Sequence, residues 1–368
     1  MPGIADIFRS CGSEYRNRYG HALPPSHRRA MRDIIDCRTE RMGGHLFQCS
    51  HCDHLRYSYH SCKNRSCPTC HESDRKAWLE KRRQERLPVP YYHAVFTVPR
   101  KLHEIIRSHQ KILYALLMEA AALSLMKLAS DSRYVGGKIG MLSILQTWTR
   151  ALVYHPHVHC LIPAGGLSPD NRYWVESRKN YLVPVDALSD IFRATFIALA
   201  RKKLPGVVFP QSIWETRWVV FCKACNTSVD KILVYLARYI HQTAITNSRI
   251  MAAEQGKVTF RYKDSRECRW KTMTLDASEF IRRFLQHVLP RGFHKVRYYG
   301  FLSPRNRRLL KQIHWVLEDK TVTGDDESLS SNGDSRAATP KATLLCPLCH
   351  KGYLIAIMTL PPRGRAPP

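Results

Sequence analysis

The chain has 368 residues, 44% of them hydrophobic and 10% aromatic, which is the composition of a folded globular protein rather than a disordered one. Lysine and arginine number 58 against 30 aspartates and glutamates, so the formal net charge is +28 at pH 7. An excess of this size is unfavourable in a compact protein unless a polyanion neutralises it, so we expect a nucleic acid as the partner.

The sequence shows no run of eighteen apolar residues and no signal-peptide pattern at its N-terminus. We therefore expect a cytoplasmic protein with no membrane partner. Its 13 cysteines would then lie in a reducing compartment, where cysteines bind metal ions more often than they form disulfides.

The N-terminal part divides into two predicted units. Residues 1–36 are predicted to form two helices, because apolar side chains recur at helical spacing on both sides of a Gly- and Pro-containing break. Residues 37–90 are rich in cysteine and are interpreted as a zinc-binding DNA-recognition module, which ends in a basic helix over 73–86.

The largest predicted unit, residues 91–316, alternates unevenly between strand-like and helix-like segments. Strands are predicted at 91–98, 138–148, 152–163, 216–222, 257–262 and 269–275, and helices at 103–129, 186–203, 228–242 and 276–288. This order is typical of an α+β domain with a central, largely antiparallel sheet flanked by helices. Residues 317–342 lack aromatic side chains and are predicted to be a disordered linker, and residues 343–368 a short tail with one Cys-x2-Cys pair.

Three histidines alternate along one predicted strand. His155, His157 and His159 share a face because successive strand side chains point to opposite sides. Neutral imidazoles in this arrangement can converge on a divalent ion and leave coordination positions open for a phosphate. The alternative is a polar strand face with separately hydrogen-bonded histidines. Pro156 lacks a backbone donor, so we expect a sheet edge or a bulge there.

Two tyrosines share one face of a predicted helix. Tyr235 and Tyr239 are four residues apart within the segment that follows Ser228. Beside a divalent cation a phenol can attack a phosphodiester and retain a covalent phosphotyrosine. The alternative is ordinary helix packing, which is the commoner role of such a pair.

Two Cys-x2-Cys pairs separated by fourteen residues predict a structural zinc site of Cys49, Cys52, Cys67 and Cys70. Four further residues remain in the module, and they either bind a second ion or supply Cys62 in place of one of the four: Cys37, His45, His60 and Cys62. Two more pairs are interpreted as chance or incomplete sites: Cys222 with Cys225, and Cys346 with Cys349.

Two basic patches are predicted to bind DNA. The first surrounds and follows the cysteine module and includes Arg65, Arg82 and Arg83. The second, with Arg305 and Arg307, is interleaved with aromatic residues, a mixture that suits single-stranded DNA. In both cases the alternative is a solvated charged face.

Together these motifs resemble the HUH superfamily of single-strand nucleases, in which U is a bulky apolar residue and the motif here is His157-Val158-His159. The closer resemblance is to the two-tyrosine rolling-circle transposases of bacterial insertion sequences. It extends from the cysteine module through Tyr92-His93-Ala94-Val95-Phe96-Thr97-Val98-Pro99 and the histidine strand to Tyr235-Leu236-Ala237-Arg238-Tyr239.

The resemblance implies a role for each of these residues. Tyr235 and Tyr239 would be the nucleophiles that retain a 5′ DNA end, and His157 and His159 would hold Mg²⁺ or Mn²⁺. Gln146, at a position where many relatives are expected to have histidine, is the preferred third ligand. Gln242 and His155 are the alternatives, and His155 is otherwise a neighbour of the ligands.

The resemblance implies a bacterial, nucleoid-associated transposase that nicks and rejoins single-stranded DNA at element ends and in target DNA, with catalytic Mg²⁺ or Mn²⁺ and structural Zn²⁺. One alternative keeps this chemistry in a plasmid or phage replication initiator or a relaxase. The other is a non-enzymatic zinc-binding DNA regulator, which leaves the histidine strand and the tyrosine pair without a role.

Overall fold

The computed structural model describes residues 2–225, 230–231, 233–234, 244–264, 267–319 and 344–363. It has a mixed α+β fold built on antiparallel sheets, which confirms the predicted class. The predicted tyrosine helix and linker lie largely outside the described residues.

A five-stranded antiparallel sheet forms the centre of the molecule, in the order β12-β4-β5-β3-β8. Its strands are β3 (Tyr91–Thr97), β4 (Met141–Trp148), β5 (Tyr154–Pro163), β8 (Val220–Ala224) and β12 (Val296–Tyr299). The histidine strand is β5, which is the middle strand of the sheet, so of the two arrangements predicted at Pro156 a sheet edge does not apply. The register of β4 against β5 shifts between Gln146 and Trp148, opposite Pro156, and this irregularity is the bulge that was predicted there.

Helices cover one face of this sheet. They are α4 (His103–Ser108), α5 (Gln110–Ala129), α6 (Val185–Lys203) and α7 (Ser212–Glu215). The predicted helix 103–129 is interrupted at His109, whose ψ of 38° is not helical. Helix α5 is long and apolar enough to span a membrane by length and composition, but it is two-thirds buried and packs against the sheet with α6. Alternate residues of β5, including Val158, Cys160 and Ile162, face these helices.

The two N-terminal helices belong to a second core. They are α1 (Ile4–Tyr19) and α2 (Pro25–Asp36), as predicted. Their apolar faces pack against a three-stranded sheet and the helix that follows it: β9 (Ile250–Glu254), β10 (Lys257–Lys263), β11 (Trp270–Asp276) and α8 (Ala277–Leu285). Residues far apart in sequence therefore share one core, although the sequence suggested a separate N-terminal unit.

The cysteine-rich module contains a hairpin and a basic helix: β1 (Gly44–Cys49), β2 (Leu55–Tyr59) and α3 (Glu72–Gln84). A strand from the C-terminal tail, β13 (Leu354–Leu360), pairs with β1 and makes a three-stranded sheet in the order β13-β1-β2. The tail, which the sequence set apart, is thus part of the module. A two-stranded ribbon, β6 (Gly165–Leu167) with β7 (Trp174–Glu176), and helix α9 (Arg307–Asp319) complete the described fold.

Candidate active site and metal centres

The histidine face of the central sheet is opposite the face that the helices cover. His157 and His159 are 8% and 6% exposed, and their ring centroids are 4.9 Å apart. His155 is less buried and lies at the start of β5, where its ring contacts His103. The predicted alternation is therefore found in the structure, with two deeply placed imidazoles and a third nearer the surface.

Gln146 lies beside both buried histidines. It is directly opposite His157 in the β4–β5 register, so the two side chains share a face. The amide Nε2 of Gln146 donates to the carbonyl oxygen of Trp148 at 2.8 Å, which turns its Oε1 towards His159. That oxygen is 3.2 Å from Nε2 of His159. Strand pairing and an anchored amide thus bring the proposed third ligand to the histidine pair.

Nδ1 of each buried imidazole has a hydrogen-bond partner. Nδ1 of His157 is 2.7 Å from the carbonyl oxygen of His155, so it is the protonated nitrogen and donates there. Nδ1 of His159 is 3.0 Å from Nε2 of His93 on β3, and the two rings are stacked. Nε2 of His157 is thereby left for a ligand, whereas Nε2 of His159 faces Oε1 of Gln146, and a metal ion held by these residues would replace that contact.

His93 is a site residue that sequence reasoning did not single out. His93 belongs to the Tyr92–Pro99 motif, but the sequence does not show which strand pairs with β3. In the structure Val95 pairs with His159, and His93, two residues before Val95, lies on the same face. A polar residue in an otherwise apolar strand that borders the histidine strand is a candidate contact.

Burial keeps these imidazoles neutral. Desolvation lowers the pKa of His157 to about 4, and it lowers the pKa of His159 well below its usual range, with His157 and His93 adding to the shift. The pKa of His93 is also lowered by burial. Neutral rings retain the lone pairs that a divalent cation requires.

Tyr235, Tyr239 and Gln242 lie outside the described residues. The chain on either side of them is described. Leu233 is buried with Ile144 and Leu161, which belong to the histidine face of the sheet. Ala244 is buried in the second core with Trp148. Ile144 and Trp148 are the residues of β4 two positions before and after Gln146, so the flanking segments are anchored on both sides of it.

The cysteines of the module are grouped differently from the prediction. Cys67 and Cys70 gather with Cys37 and Cys62, and the four sulfur atoms lie within 4.8 Å of one another. Cys49 and Cys52 lie elsewhere, beside Cys346 and Cys349 of the tail. The predicted set of Cys49, Cys52, Cys67 and Cys70 around one ion was therefore wrong.

The β1–β2 hairpin explains why the cysteines are grouped in this way. Its open end, where Gly44 pairs with Tyr59, is close to the end of α2, and the N–H of Arg38 donates to the carbonyl of His60 at 3.2 Å. Cys37 and Cys62 are therefore neighbours, and the N–H of Cys62 points at Sγ of Cys37. Cys49 and Cys52 are at the turn, five strand residues or about 17 Å away. The Cys-x2-Cys spacing in the sequence does not show that the two pairs lie at opposite ends of the hairpin.

The cluster of Cys37, Cys62, Cys67 and Cys70 has the dimensions of a zinc site. Sγ of Cys70 is 3.4 Å from Sγ of Cys37 and 3.6 Å from Sγ of Cys62. Thiolates held tetrahedrally at about 2.3 Å from zinc are about 3.8 Å apart, whereas a disulfide has a bond of about 2.05 Å. A hydrogen bond from Cys62 lowers the pKa of Cys37 to about 6, whereas the contacts among the four thiols raise the pKa values of Cys62 and Cys67.

The predicted DNA-binding arginines differ in their surroundings. Arg82 forms an ion pair with Glu85 and lies over the Tyr298 ring at 5.0 Å, with only 13% of its side chain exposed. Arg83 makes two hydrogen bonds to Asp230, and Arg65 donates to the carbonyl of Phe293. Arg305, in the turn before α9, and Arg307, the first residue of α9, are exposed.

A basic cleft of about 520 Å³ opens at the start of β5, on the side of His103. His103, which contacts the ring of His155, and Tyr154 of β5 form its inner wall. Its basic residues come from α4, the turn before it and the end of α8: Arg100, Lys101, Arg107, Arg282 and Arg283. None of these was in the predicted patches, because they are scattered in sequence.

Comparison with known proteins identifies two matching family models. One, described as a putative transposase, matches residues 140–309, and the other, described as a transposase zinc-binding domain, matches residues 7–98. The chain is 38% identical to "Putative transposase y4qJ" of Sinorhizobium fredii, with 98% of each chain covered. It is 27% identical to "Transposase for insertion sequence element IS801" of Pseudomonas savastanoi pv. phaseolicola, covering 74% of this chain and 69% of the relative. No solved structure matches.

Proposed function

This chain belongs to the IS91 family of insertion-sequence transposases, and from that membership we propose that it cuts and rejoins single-stranded DNA at the ends of its element and in target DNA. The proposal rests above all on the meeting of Gln146, His157 and His159 on one face of the central sheet.

Gln146, His157 and His159 would hold a Mg²⁺ or Mn²⁺ ion. Two neutral imidazoles and an amide oxygen are ligands that such an ion accepts, and an anchored amide and two oriented rings support this assignment. When bound, the ion would supply Lewis-acid polarisation of a phosphodiester. The role of the protein is to present Nε2 of each ring and Oε1 of the amide, and to keep both rings unprotonated.

Tyr235 and Tyr239 would be the nucleophiles. A phenolic oxygen would form a bond to phosphorus, the bond from phosphorus to the 3′ oxygen would break, and the phenol proton would leave to solvent or to the departing oxygen. The 5′ phosphate would stay on tyrosine, so the linkage can be rejoined without ATP. Leu233 precedes Tyr235 by two residues and packs on the histidine face, and Ala244 follows Tyr239 by five residues and packs with Trp148, which supports this placement.

The zinc-binding domain would be held together by one Zn²⁺ on Cys37, Cys62, Cys67 and Cys70. All four ligand positions are thiolates, so such a site is closed and structural. The zinc site would fix the start of α3. Arg83 of this helix donates two hydrogen bonds to Asp230, which precedes the tyrosine segment. The domain therefore has a direct contact with the region that would carry the nucleophiles.

The basic cleft beside His103 is the proposed path of the DNA strand. It combines positive side chains with a position beside His103, whose ring contacts His155, and a single strand follows such grooves through its phosphates. Arg305 and Arg307 offer a second exposed contact.

Trapping of a covalent adduct tests the proposed chemistry. Single-stranded DNA from an element end, labelled on the fragment downstream of the cut, should remain bound to denatured protein in the presence of Mg²⁺. Tyr235→Phe combined with Tyr239→Phe should abolish the adduct, whereas Tyr173→Phe, at an exposed tyrosine, should not change it. An adduct of normal yield in the double variant would exclude these tyrosines.

The metal assignment has a separate test. His157→Ala combined with His159→Ala should lose both Mn²⁺ binding and cleavage, with the fold retained by circular dichroism. If this variant still cuts DNA normally in Mg²⁺, the histidine pair does not hold the ion.

A further inference from the structure

The grouping of the cysteines leaves Cys49 and Cys52 without a partner pair in the N-terminal module. The module has six cysteines between residues 37 and 70, and four of them form the cluster already described. We propose that Cys49, Cys52, Cys346 and Cys349 hold a second structural Zn²⁺, which joins the C-terminal tail to the N-terminal module.

The sulfur atoms of these four residues have the separation that one zinc ion imposes. Sγ of Cys49 is 3.7 Å from Sγ of Cys349, and Sγ of Cys52 is 3.7 Å from Sγ of Cys346. All four lie within 4.8 Å of one another. Tetrahedral thiolates on zinc are about 3.8 Å apart. The atoms are too far apart for disulfides, and all four cysteines are free thiols.

The two halves of the site have the same backbone form. In each Cys-x2-Cys pair the residue after the second cysteine is left-handed: Asp53 has φ 56° and His350 has φ 55°. Lys63 and His71, after Cys62 and Cys70 of the other cluster, do the same. Neither Asp53 nor His350 is glycine, so this conformation has a cost that must be offset locally.

Backbone N–H groups point at the sulfur atoms of both halves. The N–H of His51 donates to Sγ of Cys49 and that of Gly352 to Sγ of Cys349, each at 3.4 Å. Such bonds favour the thiolate. Turns that direct donors at sulfur are suited to a bound metal, since zinc binds the thiolate form.

Gly352 allows the two halves to approach each other. A Cβ atom there would be 2.6 Å from Sγ of Cys49 and 2.7 Å from Cβ of His51, too close for any other residue. Two hydrogen bonds between the halves accompany this contact: the N–H of Ser50 donates to the carbonyl of Tyr353, and the N–H of Tyr353 donates to Oγ of Ser50.

Apolar burial at this junction is too small to hold the tail by itself. Among the described residues, the cluster there has three buried members, Cys49, Cys346 and Leu354, with Phe47 and Cys349 partly buried against them. Strand β13 pairs with β1 but leaves Ile355, Ile357 and Met358 about half exposed. Segments with so little core are commonly stabilised by a structural metal, whose binding energy becomes folding energy. Cys346 and Cys349 also lie outside both stretches matched by the family models.

Metal content of the full chain, purified with reducing agent, tests the proposal. We expect two zinc ions per wild-type chain and one in Cys346→Ser combined with Cys349→Ser. The matched control is Cys222→Ser combined with Cys225→Ser, a Cys-x2-Cys pair outside both clusters, which should keep two. One ion in the wild type, or two in the tail variant, would overturn the proposal.

Two further measurements distinguish metal loss from misfolding. Cys349→His keeps three thiolates and gains an imidazole, a set that zinc accepts, so it should retain two ions where Cys349→Ala retains one. In a full chain with a protease recognition sequence inserted between Asp326 and Glu327, the cleaved tail should remain attached in zinc and separate after chelation. A tail that separates while zinc is present, or stays after zinc is removed, contradicts the role of the metal.

Discussion

At the scale of single residues, metal binding depends on which ring nitrogen each imidazole directs into the site. A histidine ring can bind through either nitrogen, and the choice follows from what the other nitrogen contacts. His157 uses the carbonyl of His155 for this purpose, and His159 uses His93. A backbone carbonyl cannot be removed by substitution, but His93 can, so the two rings allow different experiments.

Substitution of His93 should weaken metal binding without removing a ligand. With His93→Ala, the concentration of Mn²⁺ needed for half-maximal cleavage should rise about 10- to 100-fold, because His159 loses the hydrogen-bond partner that fixes its ring. His93→Gln should recover part of the affinity through its amide oxygen. Titration of cleavage against Mn²⁺ measures this, with His45→Ala on β1 as the control. Equal metal dependence in all three variants would show that His93 does not position His159.

Gln146 provides a second residue-scale prediction. Gln146→His should bind Mn²⁺ at least as tightly as the wild type, because an imidazole nitrogen is a stronger ligand than an amide oxygen. Gln146→Ala should bind it at least about tenfold more weakly, since one ligand is lost. Calorimetric titration with Mn²⁺ compares them, and Gln48→Ala on β1 serves as the control. Unchanged affinity in Gln146→Ala would leave the third ligand to another residue.

At the scale of elements, the two basic helices have different roles. Helix α3 directs Arg82 and Arg83 at Glu85, Tyr298 and Asp230, so these charges hold elements together. The first turn of α9 presents its arginines to solvent. Charge alone, as read in the sequence, could not distinguish these cases.

The arginines should therefore separate in binding and stability. Arg305→Ala combined with Arg307→Ala should weaken binding to single-stranded DNA and reduce the slope of log K against log salt by about 1.4, since each phosphate contact contributes about 0.7. Arg82→Ala should leave that slope unchanged and lower the free energy of unfolding by about 1 kcal/mol. Fluorescence anisotropy at several salt concentrations and urea denaturation measure the two effects. A reversed pattern would place the DNA on α3.

At the scale of the whole molecule, two cores meet at His287. This residue follows α8 and is 7% exposed, with Nδ1 3.2 Å from the hydroxyl of Thr147 on β4. Its ring lies against Trp148 of one core and Tyr154 of the other. Burial lowers the pKa of His287 to about 3.

The lowered pKa of His287 makes the folded protein less stable at acidic pH. In the unfolded chain His287 has a pKa of about 6.5 and is protonated below that pH, whereas in the folded chain it stays neutral. The free energy of unfolding therefore falls as the pH falls from 6.5 towards 3. The contribution is about 1.4 kcal/mol per pH unit in this window. His287→Leu should flatten the pH dependence by about that amount between pH 5.5 and 4.5, measured by urea denaturation. His21→Gln, at an exposed histidine, should not. Parallel curves for His287→Leu and wild type would contradict this account.

The sequence predicted what depends on local pattern. Alternation along β5 gave the shared face of His157 and His159, and apolar spacing gave α1, α2 and α6. It did not predict contacts set by distant pairing: His93 against His159, α1 against α8, or Cys49 against Cys349. Short strands such as β12, with four residues, were also missed, because their pairing with β4 and not their composition defines them.

The pairing of Cys52 with Cys346 across 294 residues also fixes an order of events during synthesis. The ribosome adds roughly 5 to 20 residues per second, so the tail cysteines emerge about 15 to 60 s after the hairpin. The cluster of Cys37, Cys62, Cys67 and Cys70 can close early, but Cys49 and Cys52 must wait with their thiols uncovered. A chain interrupted before residue 346 would keep that open half-site, and a complete one would not.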